Sequence, residues 1–329
     1  MVADPTYTFV GFDQLAGWNS DNHAAALAVF RKSCATLPGP VWAEICGLAA
    51  RSPDARGFFE HMFQPVLISD GTPMLFTGYF EPELTGSRIP DAVYRYPIYA
   101  MPPGMTQDRP WLTRQQIEQT GALLGRGLEI AWLADPADAF FLQVQGSGRI
   151  SLPDGKVIRV GYAGKNGHSY ASIGAELVAR GHFTAGQVSA DVIRTWLRDH
   201  PEQGTKLFWT NPSYVFFREL SDVPADQGPL GVMNYSVTPL RSIAVDPLFV
   251  PLGAPVWIET AGVDPMNRLM IAQDIGSAIK GAQRADIFFG TGADAGQQAG
   301  QIRDTGRMVV LLPVRLANNL PLTTGTSNP

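Results

Sequence analysis

The stretch that decides the fold is QDIGSAIKGAQRADIFFG, residues 273–290, which contains two aspartates twelve positions apart. Asp274 closes the apolar run LMIAQ, and Asp286 precedes the apolar run IFF. Short runs rich in Ile, Val and Phe, broken by Gly, Pro and Asp, are typical of β-strands joined by tight turns. The stretch therefore predicts two strands joined by a turn, with one carboxylate at the end of the first strand and another at the start of the second.

The same pattern of short apolar runs broken by turn residues extends along the chain on both sides of this stretch. Further runs of this kind are VLIS (66–69), PMLFTGYFEPELTG (73–86), LEIAWLA (128–134), AFFLQVQGSGRISL (139–152), KVIRVGYAG (156–164), SYVFFREL (213–220), GVMNYSVTPLRSIAVD (231–246), APVWIET (254–260) and GRMVVLLPV (306–314). Strands this short, without a helix between each pair, favour mainly antiparallel, barrel-like sheets over a doubly wound parallel fold. Capping residues and apolar periodicity predict accessory helices over residues 20–37, 169–181 and 189–201, and within 54–63.

Composition limits the size of the fold and its partners. At 329 residues and 45% hydrophobic, the chain has the length of one large domain or two ordinary ones, and we take two. Charged residues make up only 17%, and the net charge of -5 offers no basic surface to nucleic acid or anionic lipid. No apolar run approaches the roughly 20 residues needed to cross a bilayer. We therefore expect a soluble chain with no nucleic-acid partner.

The compartment stays open at this point. The start, MVADPTYTFVGFD, lacks the charged and then apolar layout of a secretory signal, although a mature secreted chain without its leader would read the same. Cys34 and Cys46 are the only cysteines and lie twelve positions apart, outside any zinc-type spacing. Two buried thiols and a disulfide are both compatible with this spacing.

Three aspartates at strand ends are the candidates for chemistry: Asp246, Asp274 and Asp286. Asp before Pro is ordinary turn chemistry, so we interpret Asp246 as structural. For Asp274, a turn role and a functional role are both open. Apolar neighbours on a strand would partly bury Asp286 and raise its pKa, as a general acid near neutral pH requires. A nearby Arg284 would lower that pKa, and the sequence does not say which effect is larger.

Two polar, glycine-rich segments indicate a sugar-binding groove: QVQGSGRI (143–150) and GYAGKNGHSY (161–170). Both combine amides, hydroxyls or flat rings, which are the groups that recognise sugars. A sugar-cleaving enzyme normally pairs two carboxylates about the glycosidic bond, which would make Asp274 the partner of Asp286. A substrate that supplies its own nucleophile needs only one. No metal, nucleotide, flavin or other cofactor is predicted, because neither metal-ligand spacing nor a phosphate-binding loop is present.

Six segments carry a resemblance to a known family: FTGYFEPELTGSR (76–88), PIYAMPP (97–103), FLQVQGSGRI (141–150), GYAGKNGHSYASIG (161–174), NPSYVFFRE (211–219) and residues 235–290. In this order they resemble the membrane-bound lytic murein transglycosylase A family of bacteria. The resemblance implies a mainly β fold with accessory helices. It consists of a double-psi β-barrel domain of residues 1–83 and 226–329, into which a second β-barrel domain of residues 84–225 is inserted, with a groove for a glycan strand.

The resemblance also implies a reaction, the cleavage of the β-1,4 bond between N-acetylmuramic acid and N-acetylglucosamine. A 1,6-anhydromuramoyl end forms and no water is consumed. Asp286 matches the family's catalytic aspartate, which acts as acid and then as base, while Asp274 and Asp246 match two supporting aspartates. The substrate-binding residues implied in this way are Gln145, Gly146, Ser147, Lys165, Asn166, Tyr79 and Glu81. The expected partners are peptidoglycan glycan strands and other cell-wall enzymes, and the expected form is a periplasmic monomer whose native precursor is anchored to the outer membrane.

Two rival functions stay open. A hydrolase that uses Asp286 and Asp274 as a carboxylate pair would release reducing ends. A noncatalytic glycan-binding or wall-loosening protein would bind without cleaving a bond, and its function would survive the substitution Asp286→Asn. The chemistry of the products therefore separates the three functions.

Overall fold

The computed structural model describes residues 4–106 and 109–321, which divide into two compact units. Unit 1 consists of Met1–Phe80, Ala225–Gly290 and Ala295–Pro329, and unit 2 of Glu81–Pro224 and Thr291–Asp294. Each unit joins segments that are distant in sequence. The pairing of strands within a unit therefore decides which polar residues meet.

Strands and helices alternate irregularly along the chain. The strands are β1 (Thr6–Phe9), β2 (Phe63–Ser69), β3 (Leu75–Glu81), β4 (Glu83–Ser87), β5 (Tyr96–Tyr99), β6 (Glu129–Leu133), β7 (Ser147–Ser151), β8 (Val157–Lys165), β9 (Val215–Glu219), β10 (Ser242–Val245), β11 (Pro255–Thr260), β12 (Asn267–Ile275), β13 (Arg284–Thr291), β14 (Arg303–Asp304) and β15 (Gly306–Pro313). The α-helices are α1 (His23–Ser33), α2 (Pro40–Ala49), α3 (Ala55–Met62), α4 (Arg114–Thr120), α5 (Pro136–Gln145), α6 (Ile173–Ala179), α7 (Ala190–Asp199), α8 (Pro201–Phe208), α9 (Ala293–Gln301) and α10 (Val314–Ala317).

The sheet of unit 1 is built from both ends of the chain, in the strand order β1-β2-β15-β11-β12-β10-β13-β3-β14. Its inner face carries large apolar side chains with no exposed surface, among them Trp257, Ile271 and Val309. An aromatic cluster that includes Phe30 and Phe59 extends this core to α1 and α3. Each fully buried side chain of this kind contributes about 1.5–3 kcal/mol. The residues between them on these strands, such as Val256 and Val310, are fully buried as well, so the strands are enclosed on both faces.

The sheet of unit 2 has the order β5-β6-β4-β7-β8-β9. Within it β4 and β7 run parallel, with Leu84 opposite Ile150. Ile150 belongs to one apolar cluster in this sheet, and a separate cluster between the helices contains Leu177, Trp196 and Phe208. Unit 2 therefore has a core of its own.

Two predicted strands are wrong in their first parts. Of residues 231–246 only Ser242–Val245 form a strand, because the residues before them lie in turns. The second is the run 139–152. Residues 139–145 lie in helix α5, and strand β7 begins only at Ser147. Asp135 caps the helix by accepting a hydrogen bond from the Ala137 N–H at 2.8 Å, and Pro136 takes the first helical position. Gly146, with a left-handed φ of 78°, ends the helix. These start and stop signals outweigh the β propensity of the Phe and Val residues between them.

Helices occur within all four predicted ranges, but two are shorter than predicted. Helix α1 is capped by Asn22 and α6 by Ser172, each a few residues after the predicted start. Helix α7 is capped by Ser189 and α3 by Asp54, at the predicted starts. The sequence patterns did not reveal α2, α4, α8, α9 and α10.

The two cysteines form a disulfide. Cys34, at the end of α1, is bonded to Cys46 of α2, with the Cα atoms 5.6 Å apart. Closing a loop of this length stabilises the folded state by on the order of 2–4 kcal/mol.

In the part of the chain that the structure describes, no helix combines the length and the apolar character needed to span a membrane.

Candidate active site

Strand β10 lies between the two strands that carry the candidate carboxylates. Ala244 of β10 pairs with Asp274 of β12 on one side and with Asp286 of β13 on the other. Residues directly opposite each other on paired strands project to the same face of a sheet. The two aspartates therefore flank Ala244 on one face, with backbones two strand spacings, or about 10 Å, apart.

A β-bulge sets this register. Between Ile243 and Ala244 the pairing of β10 with β12 shifts by one residue, so Gln273 has no opposite residue on β10. The buried Gln273 amide instead accepts a hydrogen bond from Ser242 Oγ and donates one to Ser33 Oγ at 2.9 Å. Bulges re-aim side chains near functional sites, and this one brings Asp274 level with Ala244.

The Asp286 carboxyl is held through one of its oxygens. Thr77 of β3 donates its hydroxyl proton to Oδ1 at 2.6 Å, and Arg284 Nη2 donates to Thr77 Oγ1 at 2.8 Å. Within residues 4–106 and 109–321, no hydrogen bond reaches Oδ2. Burial raises the pKa of Asp286 above its ordinary value, and it outweighs the opposing effects of the Thr77 hydrogen bond and the Arg284 charge. The carboxyl therefore keeps its proton to a higher pH than an exposed aspartate does.

The Asp274 carboxyl accepts three hydrogen bonds. The N–H groups of Val232 and Ile275 donate to Oδ1 at 3.0 and 2.9 Å, and Tyr79 donates its hydroxyl proton to Oδ2 at 3.1 Å. Burial, with a smaller contribution from the charge of Asp286, raises the pKa of Asp274 to about 6 against these bonds. The effect of Asp286 on this pKa shows that the two carboxyls interact.

Tyr79 connects the Asp274 carboxyl to Phe288 of β13. Its ring lies 5.2 Å from the ring of Phe288, centroid to centroid, and its hydroxyl bonds to Asp274. Burial, followed by the negative charges of Asp274 and Asp286, raises the pKa of Tyr79 well above its ordinary value. The phenol is therefore a hydrogen-bond donor throughout the working pH range.

Replacing Asp274 by Asn should stabilise the protein at pH 8 and have little effect at pH 4. A carboxyl whose pKa is raised to about 6 favours the folded state while protonated, and it loses that stability as the pH rises from about 4 through 6. Asn cannot ionise, and its Oδ1 can accept the two backbone N–H bonds as before. The expected gain at pH 8 is up to about 3 kcal/mol, from 1.36 kcal/mol per pKa unit.

Urea unfolding of Asp274→Asn and wild type at pH 4 and at pH 8 measures this difference. The exposed Asp226→Asn, in the same unit, is the control that changes the charge equally. A difference in unfolding free energy that stays the same at both pH values would contradict the expectation.

Asp246 makes the contacts of a turn residue. It is 2% exposed, and its carboxylate accepts hydrogen bonds from the N–H groups of Leu248 at 3.2 Å and Gly281 at 3.0 Å. Its backbone carbonyl accepts two more, from Phe249 and Val250. These bonds hold the turn after β10, as the structural interpretation of Asp246 expects.

Four predicted substrate-binding residues lie at strand and helix ends in unit 2. Gln145 is the last residue of α5, Gly146 is the left-handed residue that ends it, and Ser147 begins β7 and is 7% exposed. Lys165 is the partly exposed last residue of β8. Their contact with a substrate stays a prediction.

Two further predicted contacts need correction, because their side chains have no exposed surface. The Asn166 amide donates to the carbonyls of Leu112 and Pro212, both at 2.8 Å, and its oxygen accepts the N–H of Tyr214 at 2.8 Å. Glu81 is enclosed by ion pairs with two arginines. A fully buried, fully bonded side chain holds the fold in this conformation and does not touch a ligand, so we assign both residues a positioning role.

Two residues of the site were missed by sequence reasoning. Thr77 lies two positions before Tyr79 on β3, so strand alternation places both on one face, and this signal was available. Ala244 is an ordinary apolar strand residue in the sequence. Its position between the aspartates depends on the pairing of β10 with β12 and β13, which no local pattern shows.

Proton transfer is the chemistry that these groups offer. Asp286 can donate its proton from the Oδ2 side and take one back, while the Thr77 hydrogen bond and the Arg284 charge stabilise its carboxylate. Among the residues that the structure describes, no three His, Cys, Asp or Glu side chains are grouped so that they could hold a metal ion.

Comparison with known proteins places both units among known domains. Residues 75–218 match the MltA specific insert domain, and residues 241–312 match the 3D domain. The chain is 32% identical over 290 residues to membrane-bound lytic murein transglycosylase A of Vibrio cholerae. The matched residues make up 84% of this chain and 76% of that protein. It is 36% identical over 258 residues to the protein of the same name from Escherichia coli K12, a match that covers 74% of this chain and 67% of that protein.

Solved structures show the same likeness. The crystal structure of a membrane-bound lytic murein transglycosylase from Agrobacterium tumefaciens superposes with a TM-score of 0.85 at 34% identity, over 95% of this chain and 99% of that one. The crystal structure of Escherichia coli MltA with bound chitohexaose superposes with a TM-score of 0.76 at 28% identity, over 95% of this chain and 96% of that one. The predicted fold class is thereby confirmed: mainly β with accessory helices, with a double-psi β-barrel and an inserted β domain.

Proposed function

The chain belongs to the family of membrane-bound lytic murein transglycosylase A, and from this premise we propose that it is a lytic transglycosylase that cleaves peptidoglycan. The observation that carries the proposal is the Asp286 carboxyl, whose pKa is raised by burial and whose Oδ2 is left without a hydrogen bond among the described residues. Its substrate would be the glycan strand, which agrees with the chitohexaose bound by the Escherichia coli relative.

In the first step, Asp286 acts as general acid. The bond from C1 of N-acetylmuramic acid to the glycosidic oxygen breaks, and the electron pair leaves with that oxygen, which takes the Asp286 proton. The new carboxylate keeps the Thr77 hydrogen bond and lies near the Arg284 guanidinium, both of which stabilise its charge. General acid catalysis by a positioned carboxyl contributes roughly 10²–10⁴ in rate.

In the second step, the same residue acts as general base. The C6 hydroxyl of the muramoyl unit attacks its own C1 and gives its proton to the Asp286 carboxylate, which closes the 1,6-anhydro ring. The proton lost in the first step is regained, and no water is consumed. A single carboxyl suffices, because the substrate supplies the nucleophile.

Asp274 supports the acid without touching the bond that breaks. The charge of Asp286 contributes to the raised pKa of Asp274, so the two carboxyls interact, and the Asp274 hydrogen bonds hold the end of β12 and the Tyr79 phenol in place. In unit 2 we keep Gln145, Gly146, Ser147 and Lys165 as contacts with the glycan.

The predicted domain organisation is part of the proposal, with residues 1–83 and 226–329 as the catalytic domain and 84–225 as the insert. The division of the chain into two compact units supports it.

We place the enzyme in the periplasm as a monomer associated with the outer membrane, with other cell-wall enzymes as partners. The disulfide between Cys34 and Cys46 supports this location, because disulfides persist in oxidising compartments.

Digestion of purified peptidoglycan in H2¹⁸O, followed by mass spectrometry of the soluble products, tests the function. We expect anhydromuropeptides that carry no ¹⁸O. Reducing-end products labelled with ¹⁸O would replace the proposal with a hydrolase that pairs Asp274 with Asp286. Retention of the protein on peptidoglycan without any soluble product would replace it with a glycan-binding protein.

A further inference from the structure

The hydroxyl group of Thr77 connects two charged side chains of β13. Arg284 and Asp286 lie two positions apart on that strand, so both project to the same face of the sheet, and Thr77 lies on β3, the neighbouring strand. Arg284 Nη2 donates to Thr77 Oγ1 at 2.8 Å, and Thr77 Oγ1 donates to Asp286 Oδ1 at 2.6 Å. In the part of the chain that the structure describes, Arg284 and Asp286 share no hydrogen bond of their own, so Thr77 is the bonded link between them.

Backbone carbonyl groups hold the Arg284 guanidinium in place. Its Nη1 donates to the carbonyl oxygen of Leu75 at 3.2 Å and to that of Ala285 at 2.5 Å. Leu75 belongs to β3, so these bonds tie the guanidinium to both strands. The guanidinium cannot turn away from Thr77 without breaking these charge-assisted bonds, which are stronger than neutral ones. Arg284 Nη2 is therefore a fixed donor to the Thr77 hydroxyl.

The presence of this donor fixes the direction of the Thr77 hydroxyl. A guanidinium carries N–H donors and no acceptor, so Thr77 Oγ1 can only accept from Arg284. A hydroxyl has one proton to donate, and within residues 4–106 and 109–321 the sole hydrogen-bond acceptor of Thr77 Oγ1 is Asp286 Oδ1. The Thr77 proton therefore points at Oδ1 whether Asp286 is charged or neutral.

This direction decides which oxygen of the neutral acid carries its proton. A proton on Oδ1 would face the Thr77 proton across 2.6 Å, or it would force the hydroxyl to turn away from its acceptor. A partly buried hydroxyl that loses its acceptor costs free energy. With the proton on Oδ2, the Arg284 and Thr77 bonds are both kept, and Oδ2 is the oxygen to which no described residue bonds.

We propose that Arg284 is a positioning residue for the acid, which acts through Thr77 to keep the Asp286 proton on Oδ2. This rests on the proposed role of Asp286, since a proton donor needs its proton on the oxygen that is free for the substrate. Oδ2 also takes the proton of the C6 hydroxyl in the second step, because Oδ1 still accepts from Thr77. One oxygen therefore gives the proton and receives it.

Infrared spectroscopy of the protein alone tests the position of the proton, so the result does not depend on the proposed enzymatic function. At a pH where exposed carboxyls are ionised, the C=O stretching band of protonated Asp286 is the one that disappears in Asp286→Asn. A proton on Oδ2 makes Oδ1 the carbonyl oxygen, and a hydrogen bond to a carbonyl oxygen lowers its stretching frequency. Thr77→Val should therefore shift the band to higher frequency, whereas Thr77→Ser should restore it. Absence of the band, or a band that Thr77→Val leaves in place, would overturn the proposal.

Rates of glycan cleavage test whether Arg284 acts through Thr77. Arg284→Met and Thr77→Val should each lower kcat about tenfold, through the loss of one directed hydrogen bond, and leave KM unchanged. The double variant should be no slower than Thr77→Val alone, since Arg284 then has no hydroxyl to orient. The control for the lost charge is Arg51→Met, at an exposed position of unit 1, which should keep the wild-type rate. Losses that multiply in the double variant would overturn the role of Arg284.

The pH dependence of kcat is a further measurement that a purely structural role of Thr77 would not affect. The charged and titratable side chains around Asp286 are Arg284 of β13, Asp274 of β12 and Tyr79 of β3, and the Thr77 bond lowers the pKa of Asp286. Activity requires the protonated acid and falls as the pH rises through that pKa, so Thr77→Val should move the fall to higher pH. An unchanged pH profile in Thr77→Val would contradict the proposal.

The infrared and kinetic measurements can fail separately. Thr77→Val and Thr77→Ser leave the backbone bonds of Arg284 intact, so the infrared test stands even if Arg284→Met does not fold. If the wild type cleaves no glycan, the proposed function is lost, while the infrared band still decides on which oxygen the proton lies.

Discussion

Asp286→Asn should lower the rate of peptidoglycan cleavage by roughly 10³-fold, within the range that a general acid contributes. Asn is nearly the same shape, and its Oδ1 can still accept the Thr77 hydroxyl bond that holds the side chain. It cannot give a proton to the leaving oxygen or take one from the C6 hydroxyl. Both steps of the proposed reaction are therefore lost with one atom exchanged, while the fold is kept. Quantifying anhydromuropeptides by mass spectrometry measures the effect.

The matched control is Asp264→Asn, an exposed aspartate of unit 1, which should retain the wild-type rate. The pH dependence of wild-type activity is a second measurement, and a purely structural role of Asp286 would not affect it. Since Asp286 must be protonated to act as acid and its pKa is raised, activity should persist above the ordinary pKa of aspartate and fall as the pH rises through the raised one. An Asp286→Asn enzyme that releases anhydromuropeptides at near the wild-type rate would contradict the assignment.

The sequence predicted the catalytic candidate because the relevant pattern is local. An aspartate followed by Ile-Phe-Phe on a strand implies burial, and the structure answers the question left open by Arg284, since burial has the larger effect on the pKa of Asp286. Ala244 could not be found in this way, because its place depends on a bulge and on two strand pairings. Local patterns carry no information on such pairings.

Burial also explains the two wrong substrate contacts. Asn166 and Glu81 sit in polar, glycine-rich or turn-like sequence, where an exposed side chain is the reasonable expectation. In the structure each has no exposed surface and is bonded to groups at least 46 positions away in the sequence. A polar residue that serves as the centre of a buried network looks, in sequence, the same as one that serves a ligand.

Glu81→Ala should destabilise unit 2 by about 3–5 kcal/mol, because it leaves two cations without their buried counterion. Glu81 Oε1 accepts from Arg159 Nε at 2.6 Å, and Oε2 accepts from Arg159 Nη2 at 2.7 Å and from Arg149 Nε at 3.0 Å. Thr291 donates to Oε2 as well, at 2.9 Å, so this carboxylate also connects the two chain segments of unit 2. Urea unfolding followed by a probe in unit 2, such as its tryptophan fluorescence, measures the loss.

An exposed ion pair in the same unit provides the comparison that isolates burial. Arg88 makes a two-point contact with Glu219 at 2.5 and 2.7 Å, but both side chains are more than 40% exposed. Water screens this pair, so Glu219→Ala should cost no more than about 1 kcal/mol. If the two substitutions proved equally mild, the Glu81 cluster would not hold unit 2 together. If Glu81→Ala is severe, adding Arg159→Ala should recover part of the loss, because the double variant also removes one of the two cations that Glu81 neutralises.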